Sequence, residues 1–179
     1  MLHFAIGMCH IVLTSHHYFS ISWIAHSSIS LILPKGYKLF YKYTVPGNGR
    51  LNKASAQLLF AHEMQMTYGH DGGALITVPD GRILFAVGDC LPYGLNGLFA
   101  SQDPHSHCGK ILLIDPDEPG SYEVAAAGVR NSQQMFLEGD MVYFMDIGGV
   151  TAEEFNAVPL ADVSCCISYM SITSGLVES

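Results

Sequence analysis

The sequence predicts an all-β protein and, more narrowly, a partial β-propeller. Three observations lead there: a composition rich in turn and sheet formers, short apolar runs separated by tight-turn residues, and a weak internal repeat among those runs. The 179 residues include 18 Gly, 8 Pro, 9 Tyr and 9 Phe, which favour short strands and tight turns over long helices. With 49% hydrophobic and 13% charged residues, the chain has enough apolar surface to fold and is neither disordered nor low-complexity. Eight Lys+Arg against 16 Asp+Glu leave a formal charge of −8. The cations are scattered, so no basic stripe exists to neutralise phosphates, and nucleic-acid binding is excluded on that ground.

Three segments follow from the charge pattern. Residues 1–34 contain no Asp, Glu, Lys or Arg but five of the nine His (His3, His10, His16, His17 and His26). This apolar, His/Ser-rich stretch has no basic region ahead of its apolar run, and His16-His17 interrupt every candidate span, so it matches neither a signal peptide nor a membrane helix. It reads as an atypical leader or extension. Residues 35–164 form the regular domain, and residues 165–179, with Glu178 as their single charge, read as a divergent tail.

Within the regular domain the elements come in pairs. Tyr37 to Thr44 alternates aromatic or apolar with polar residues, Pro46-Gly47-Asn48-Gly49 makes a turn, and Ala54 to Phe60 returns. Gly73 to Val78 and Arg82 to Val87 flank Pro79-Asp80-Gly81, a turn whose residues tolerate positive φ. Lys110 to Ile114 and Tyr122 to Ala127 flank Asp115 to Gly120, and Gln134 to Leu137 and Met141 to Met145 flank Glu138-Gly139-Asp140. Aligning Asp80-Gly81-Arg82-Ile83-Leu84-Phe85 with Gly139-Asp140-Met141-Val142-Tyr143-Phe144 exposes the repeat. Recurrent hairpins of this kind suggest radial blades, and at roughly 40–45 residues per blade the regular domain supplies about three. A closed ring takes about four to eight, so the chain reads as a piece of a propeller whose exposed blade edges favour self-association.

In such scaffolds chemistry belongs to loops converging at one end of a rigid frame. Three loops combine Gly with ionisable or amide groups just outside a strand: Tyr68 to Gly73, Gly128 to Gln133, and Asp146 to Asn156. Taken alone, a histidine at position 70 reads as a turn-bracing residue, Arg130 as a surface ion pair and Gly148-Gly149 as a tight turn.

The order HDGGALITVPDGRILFAVGD, GKILLIDPD, GVRNSQ, DIGGVTAEEFN resembles the glucose/sorbosone dehydrogenase family, the soluble pyrroloquinoline-quinone-dependent aldose dehydrogenases, over about Lys35 to Ala161. The resemblance implies blades of a six-bladed propeller that oxidises the anomeric hydroxyl of an aldose sugar to a lactone. It implies His70 as the general base, Arg130 and Asn131 as contacts to the quinone, and Gly148 and Gly149 as carbonyl ligands of a calcium ion beside it. It also implies export to a periplasmic or extracellular compartment. Ser132 stands where many members have Pro, and Gly149 where some do. Further basic residues that hold the cofactor carboxylates in the family have no counterpart after Ala161, so the lone chain is expected to be incomplete or inactive. The alternative is a non-catalytic, propeller-derived interaction module.

Other groupings are local. Cys90 and Cys108 bracket a Gly/Ser-rich loop and read as a disulfide, as metal ligands with His105 and His107, or as ordinary thiols. Cys165-Cys166 read as small buried hydrophobes. Glu153 and Glu154 point to opposite faces of an extended segment, which fits a loop-bracing carboxylate and a solvated charge better than a paired acid and base.

Overall fold

The computed structural model describes residues 4–13, 17–25, 35–44, 52–65, 70–90, 98–148, 153–165 and 175–176. Their side chains are described over 38–44, 52–62, 70–90, 100–148 and 153–163. Most of these residues lie in three four-stranded antiparallel sheets. Among the described residues no sheet closes on itself. No helix there is long and apolar enough to cross a membrane, which says nothing about crossing by strands.

The first sheet is a meander of β1 (Phe4–Leu13), β2 (His17–Ala25), β3 (Lys35–Thr44) and β4 (Asn52–Gln65). β2 pairs with β3 from His17↔Tyr43 to Ile24↔Gly36. The boundary that charge suggests at residue 34 therefore runs through a continuous sheet. Backbone pairing does not need charged side chains, and the charge-free segment extends the sheet as readily as the charged one.

The second sheet comprises β5 (Gly72–Thr77), β6 (Ile83–Val87), β7 (Lys110–Ile114) and β8 (Tyr122–Ala127), with helix α1 (Leu98–Gln102) between β6 and β7. Two hairpins expected from the sequence thus merge into one sheet, joined by pairing of β6 with β7 from Ile83↔Ile114 to Val87↔Lys110. Every residue of β6 and β7 is buried. Their apolar runs are unbroken because both faces of this sheet are covered.

The third sheet holds β9 (Ser132–Glu138), β10 (Met141–Asp146), β11 (Glu154–Pro159) and the two-residue β12 (Gly175–Leu176), with helix α2 (Leu160–Cys165) after β11. The β11 segment reads from the sequence as part of a loop. It is a strand because Asn156 and Val158 turn inward while Phe155 and Ala157 turn out, an alternation that the preceding acidic pair obscures.

Two cores fill the spaces between sheets. Phe40 and Phe60 of the first sheet pack on Phe85, Leu112 and Ile114 of the second. The Phe40 and Phe85 rings stack at 4.9 Å, and Phe60 meets Phe85 edge-on at 6.1 Å. The opposite face of the second sheet, with Leu84, Ala86, Ile111 and Leu113, packs on Val142, Phe144 and Val158 of the third. The first strands of the sheets are neighbours in order, β1 beside β5 and β5 beside β9.

Candidate functional site

His70, Arg130 and Gly148 lie far apart in sequence and meet at one end of β5, β6 and β9. His70 precedes β5 with φ of 61°, a left-handed conformation that costs a non-glycine residue about 1–3 kcal/mol. Two glycines make room for it. A Cβ on Gly88 would collide with the His70 carbonyl, and one on Gly72, itself at φ of 64°, would meet Gly88 N at 2.7 Å. Glycine at these positions lets the backbones leading into β5 and leaving β6 touch, and that contact presents the His70 ring.

Asp89, buried, places Oδ1 2.9 Å from His70 Nδ1. On the other side of the ring, Arg130 Nη2 lies 2.7 Å from His70 Nε2. A guanidinium only donates, so Nε2 is the acceptor and the proton resides on Nδ1, where it is given to Asp89. The same guanidinium donates through Nη1 to the carbonyls of Ile147 at 2.6 Å and Gly148 at 2.7 Å. A carboxylate thus fixes the imidazole's tautomer, and a cation sits at the lone pair.

The loops are locked together by their backbones. Asp89 N donates to Arg130 O at 2.8 Å, and Gly72 N donates to Asn131 Oδ1 at 2.9 Å. Arg130 N and Asn131 N donate to Asp146 Oδ2 and Oδ1 at 2.7 and 2.6 Å. Burial pushes the Asp146 carboxyl above its ordinary range, opposed by those two backbone donors. Glu153 Oε2 accepts from Gly148 N at 2.9 Å, so it braces a loop as its sequence context suggests. Asn131 spends its amide oxygen on Gly72, and Gly149 lies outside the described residues, as do Cys166 and the Cys165 side chain.

Asp89 is the member of this cluster that sequence reasoning passed over. It appears in the sequence only as the residue that ends a hairpin, and the signal for it is an acid directly after the glycine that closes β6. A groove of about 350 Å³ lies elsewhere, lined by Val78, Arg82, Leu113, Asp140 and Leu160 among others. That groove is at the opposite end of β5 and β6, mostly apolar, and its Asp80–Arg82 pair at 2.7 Å braces a turn.

On the other face of the β6 end, Cys90 and Cys108 form a disulfide with Cα atoms 5.4 Å apart. His62 of β4 places Nε2 3.3 Å from Cys108 Sγ. His107 stands behind His62, while His105 is exposed and takes no part.

The sequence matches no protein-family model and no curated protein. Its fold has solved counterparts. Two glucose dehydrogenase structures superpose with TM-scores of 0.60 and 0.61 at 21% identity, each over 82% of this chain and 43% of its own. The chain therefore spans less than half the length of those enzymes, and the likeness is one of fold.

Proposed function

We propose that the chain carries the proton-accepting part of a sugar dehydrogenase site, at one end of three sheets arranged as blades of a partial propeller. The observation that carries this reading is the Asp89, His70 and Arg130 relay, with an acceptor nitrogen presented beside a guanidinium. The radial arrangement is supported by the order in which β1, β5 and β9 adjoin, each being the first strand of its sheet.

In this reading His70 Nε2 takes the proton of a sugar's anomeric hydroxyl. Asp89 holds the ring and stabilises the imidazolium that forms. The anomeric C–H then departs as hydride, leaving the lactone carbonyl. Pyrroloquinoline quinone, when bound, would supply the two-electron acceptor for that hydride, with calcium as a hard Lewis acid beside it. Arg130 fits the role of a donor to oxygens that gain negative charge. The carbonyl of Gly148 is a hard donor suited to calcium, as Gly149 would be. Gly148 O accepts from Arg130 Nη1, so calcium at that carbonyl would need the guanidinium to turn away from it. Asn131 contributes by holding Gly72, and with it the His70 loop. An exported setting agrees with the disulfide.

A second reading is an interaction module. It is favoured by the exposed apolar face of the third sheet, through which self-association would occur, and by Arg130 being the one cation in the described cluster to meet a tricarboxylate. The two readings part in one assay: purified chain with calcium, pyrroloquinoline quinone, an aldose and an electron-accepting dye. The dehydrogenase reading expects sugar-dependent dye reduction that falls by about 10²–10⁴ in His70→Ala. Absence of quinone binding at every calcium concentration leaves the interaction module.

A further inference from the structure

The His62, Cys90 and Cys108 corner is not used by the proposed dehydrogenase chemistry, yet its atoms converge. His62 Nε2 is 3.3 Å from Cys108 Sγ and 3.8 Å from Cys90 Sγ. In a tetrahedral zinc site, Zn–S of about 2.3 Å and Zn–N of about 2.0–2.1 Å put nitrogen and sulfur about 3.6 Å apart. The two observed separations bracket that value. We propose that reduction of the Cys90–Cys108 disulfide turns this corner into a zinc site, with Cys90 Sγ, Cys108 Sγ and His62 Nε2 as protein ligands and a fourth position open.

Two further features fit a metal site better than a simple staple. The first stands behind the histidine. His107 Nδ1 lies 3.2 Å from His62 Nδ1, and His107 Nε2 lies 2.6 Å from Tyr122 Oη. With zinc on Nε2, the His62 proton sits on Nδ1 and is donated to His107 Nδ1, whose own Nε2–H is donated to Tyr122. Such outer partners fix the tautomer and orientation of a ligating imidazole.

The second feature is backbone support independent of the S–S bond. Gly109 N donates to Gly88 O at 2.8 Å, and Lys110 Nζ donates to Cys108 O at 3.0 Å. Opening the disulfide therefore leaves both cysteines anchored. Both cysteines are also buried, each being 8% exposed. Two thiolates neutralise a divalent ion, so the filled site adds no net charge to that interior.

The chemistry balances. A phosphine reductant passes two electrons to the S–S bond and, with one water, becomes its oxide while two thiols form. Each thiol loses a proton on coordination, so one ion releases two protons.

Cobalt(II) serves as a spectroscopic substitute for zinc. The phosphine-reduced full chain, titrated anaerobically, is expected to bind one equivalent with a thiolate-to-cobalt charge-transfer band and intense tetrahedral visible bands. The oxidised chain is expected to show neither. Zinc should bleach the bands, His107→Phe should weaken binding about 10–100-fold, and Cys90→Ser and Cys108→Ser should each diminish the charge-transfer intensity. Binding without thiolate bands, which the histidines of residues 1–34 alone would give, overturns the proposal, as does full intensity in either serine variant. Should those variants not fold, alkylation of reduced wild-type chain decides. One equivalent of zinc must protect Cys90 and Cys108 together, and unchanged labelling at both overturns the site.

Discussion

The second and third sheets have the same four-strand meander but opposite surroundings. The second is covered on both faces, and all of β6 and β7 is buried. The third is covered on one face, so β9 and β10 alternate, and the outer face carries Phe136, Met145 and Phe155 at 47%, 46% and 43% exposure. There Phe136 stacks on Tyr143 at 4.8 Å and Tyr143 on Phe155 at 5.7 Å. The unbroken apolar runs of β6 and β7 mark strands packed on both faces, and the alternating β9 and β10 mark strands packed on one. The middle sheet is also the one that frames the His70 and Asp89 contact, so strands buried on both faces position this polar cluster.

The sharpest way to break this contrast is Phe85→Ala. The ring is fully buried and stacked on Phe40, and its loss should cost about 3–5 kcal/mol, read as a lowered urea midpoint. A cost under about 1 kcal/mol would mean that the interface between the first two sheets is not packed.

A smaller effect tests the Lys38 ammonium enclosed beside that ring. Lys38 is 1% exposed, and its Nζ has no hydrogen-bond partner among the described residues and lies 5.9 Å from the Phe85 centroid. Burial lowers its pKa from 10.5 to about 8, partly offset by Asp71. Between these two values the unfolded chain binds more protons than the folded one, so stability should rise as pH goes from about 8 to 10.5 and stay level with respect to this group below 8. Lys38→Met should raise stability at pH 7 by about 1–3 kcal/mol and flatten that rise. Denaturant curves at several pH values check both, and an unchanged slope would show that Lys38 does not titrate there.

The smallest effect is expected on the open face. Phe136→Ser should change stability by no more than about 1 kcal/mol, as measured in the same assay at low protein concentration. A loss of several kcal/mol would show that this face is covered in solution.

Much of this fold is legible locally. The Asp80-Gly81 turn and the runs on either side specify the β5–β6 hairpin without help, because turn residues and side-chain period are properties of neighbours in sequence. His70 and Arg130 are legible as groups placed just outside strands. Asp89 and His62 are not. Asp89 orients a ring nineteen positions away, and His62 reaches Cys108 from a different sheet, so no spacing rule links them. The same holds for residues 4–25, whose lack of charge marks them as foreign while their backbones pair with β3.

The amino-acid order by itself determined the mostly β character, the hairpins and the glycines that permit His70 its conformation, since each depends on torsional preference and on the two-residue period of a strand. Only the tertiary structure decided that two hairpins share one sheet, that Arg130 meets the imidazole opposite Asp89, and that adjacent Asp89 and Cys90 serve different corners. Those outcomes depend on which faces of distant strands are brought together to exclude water, and a one-dimensional pattern states that a face is apolar without stating what will cover it.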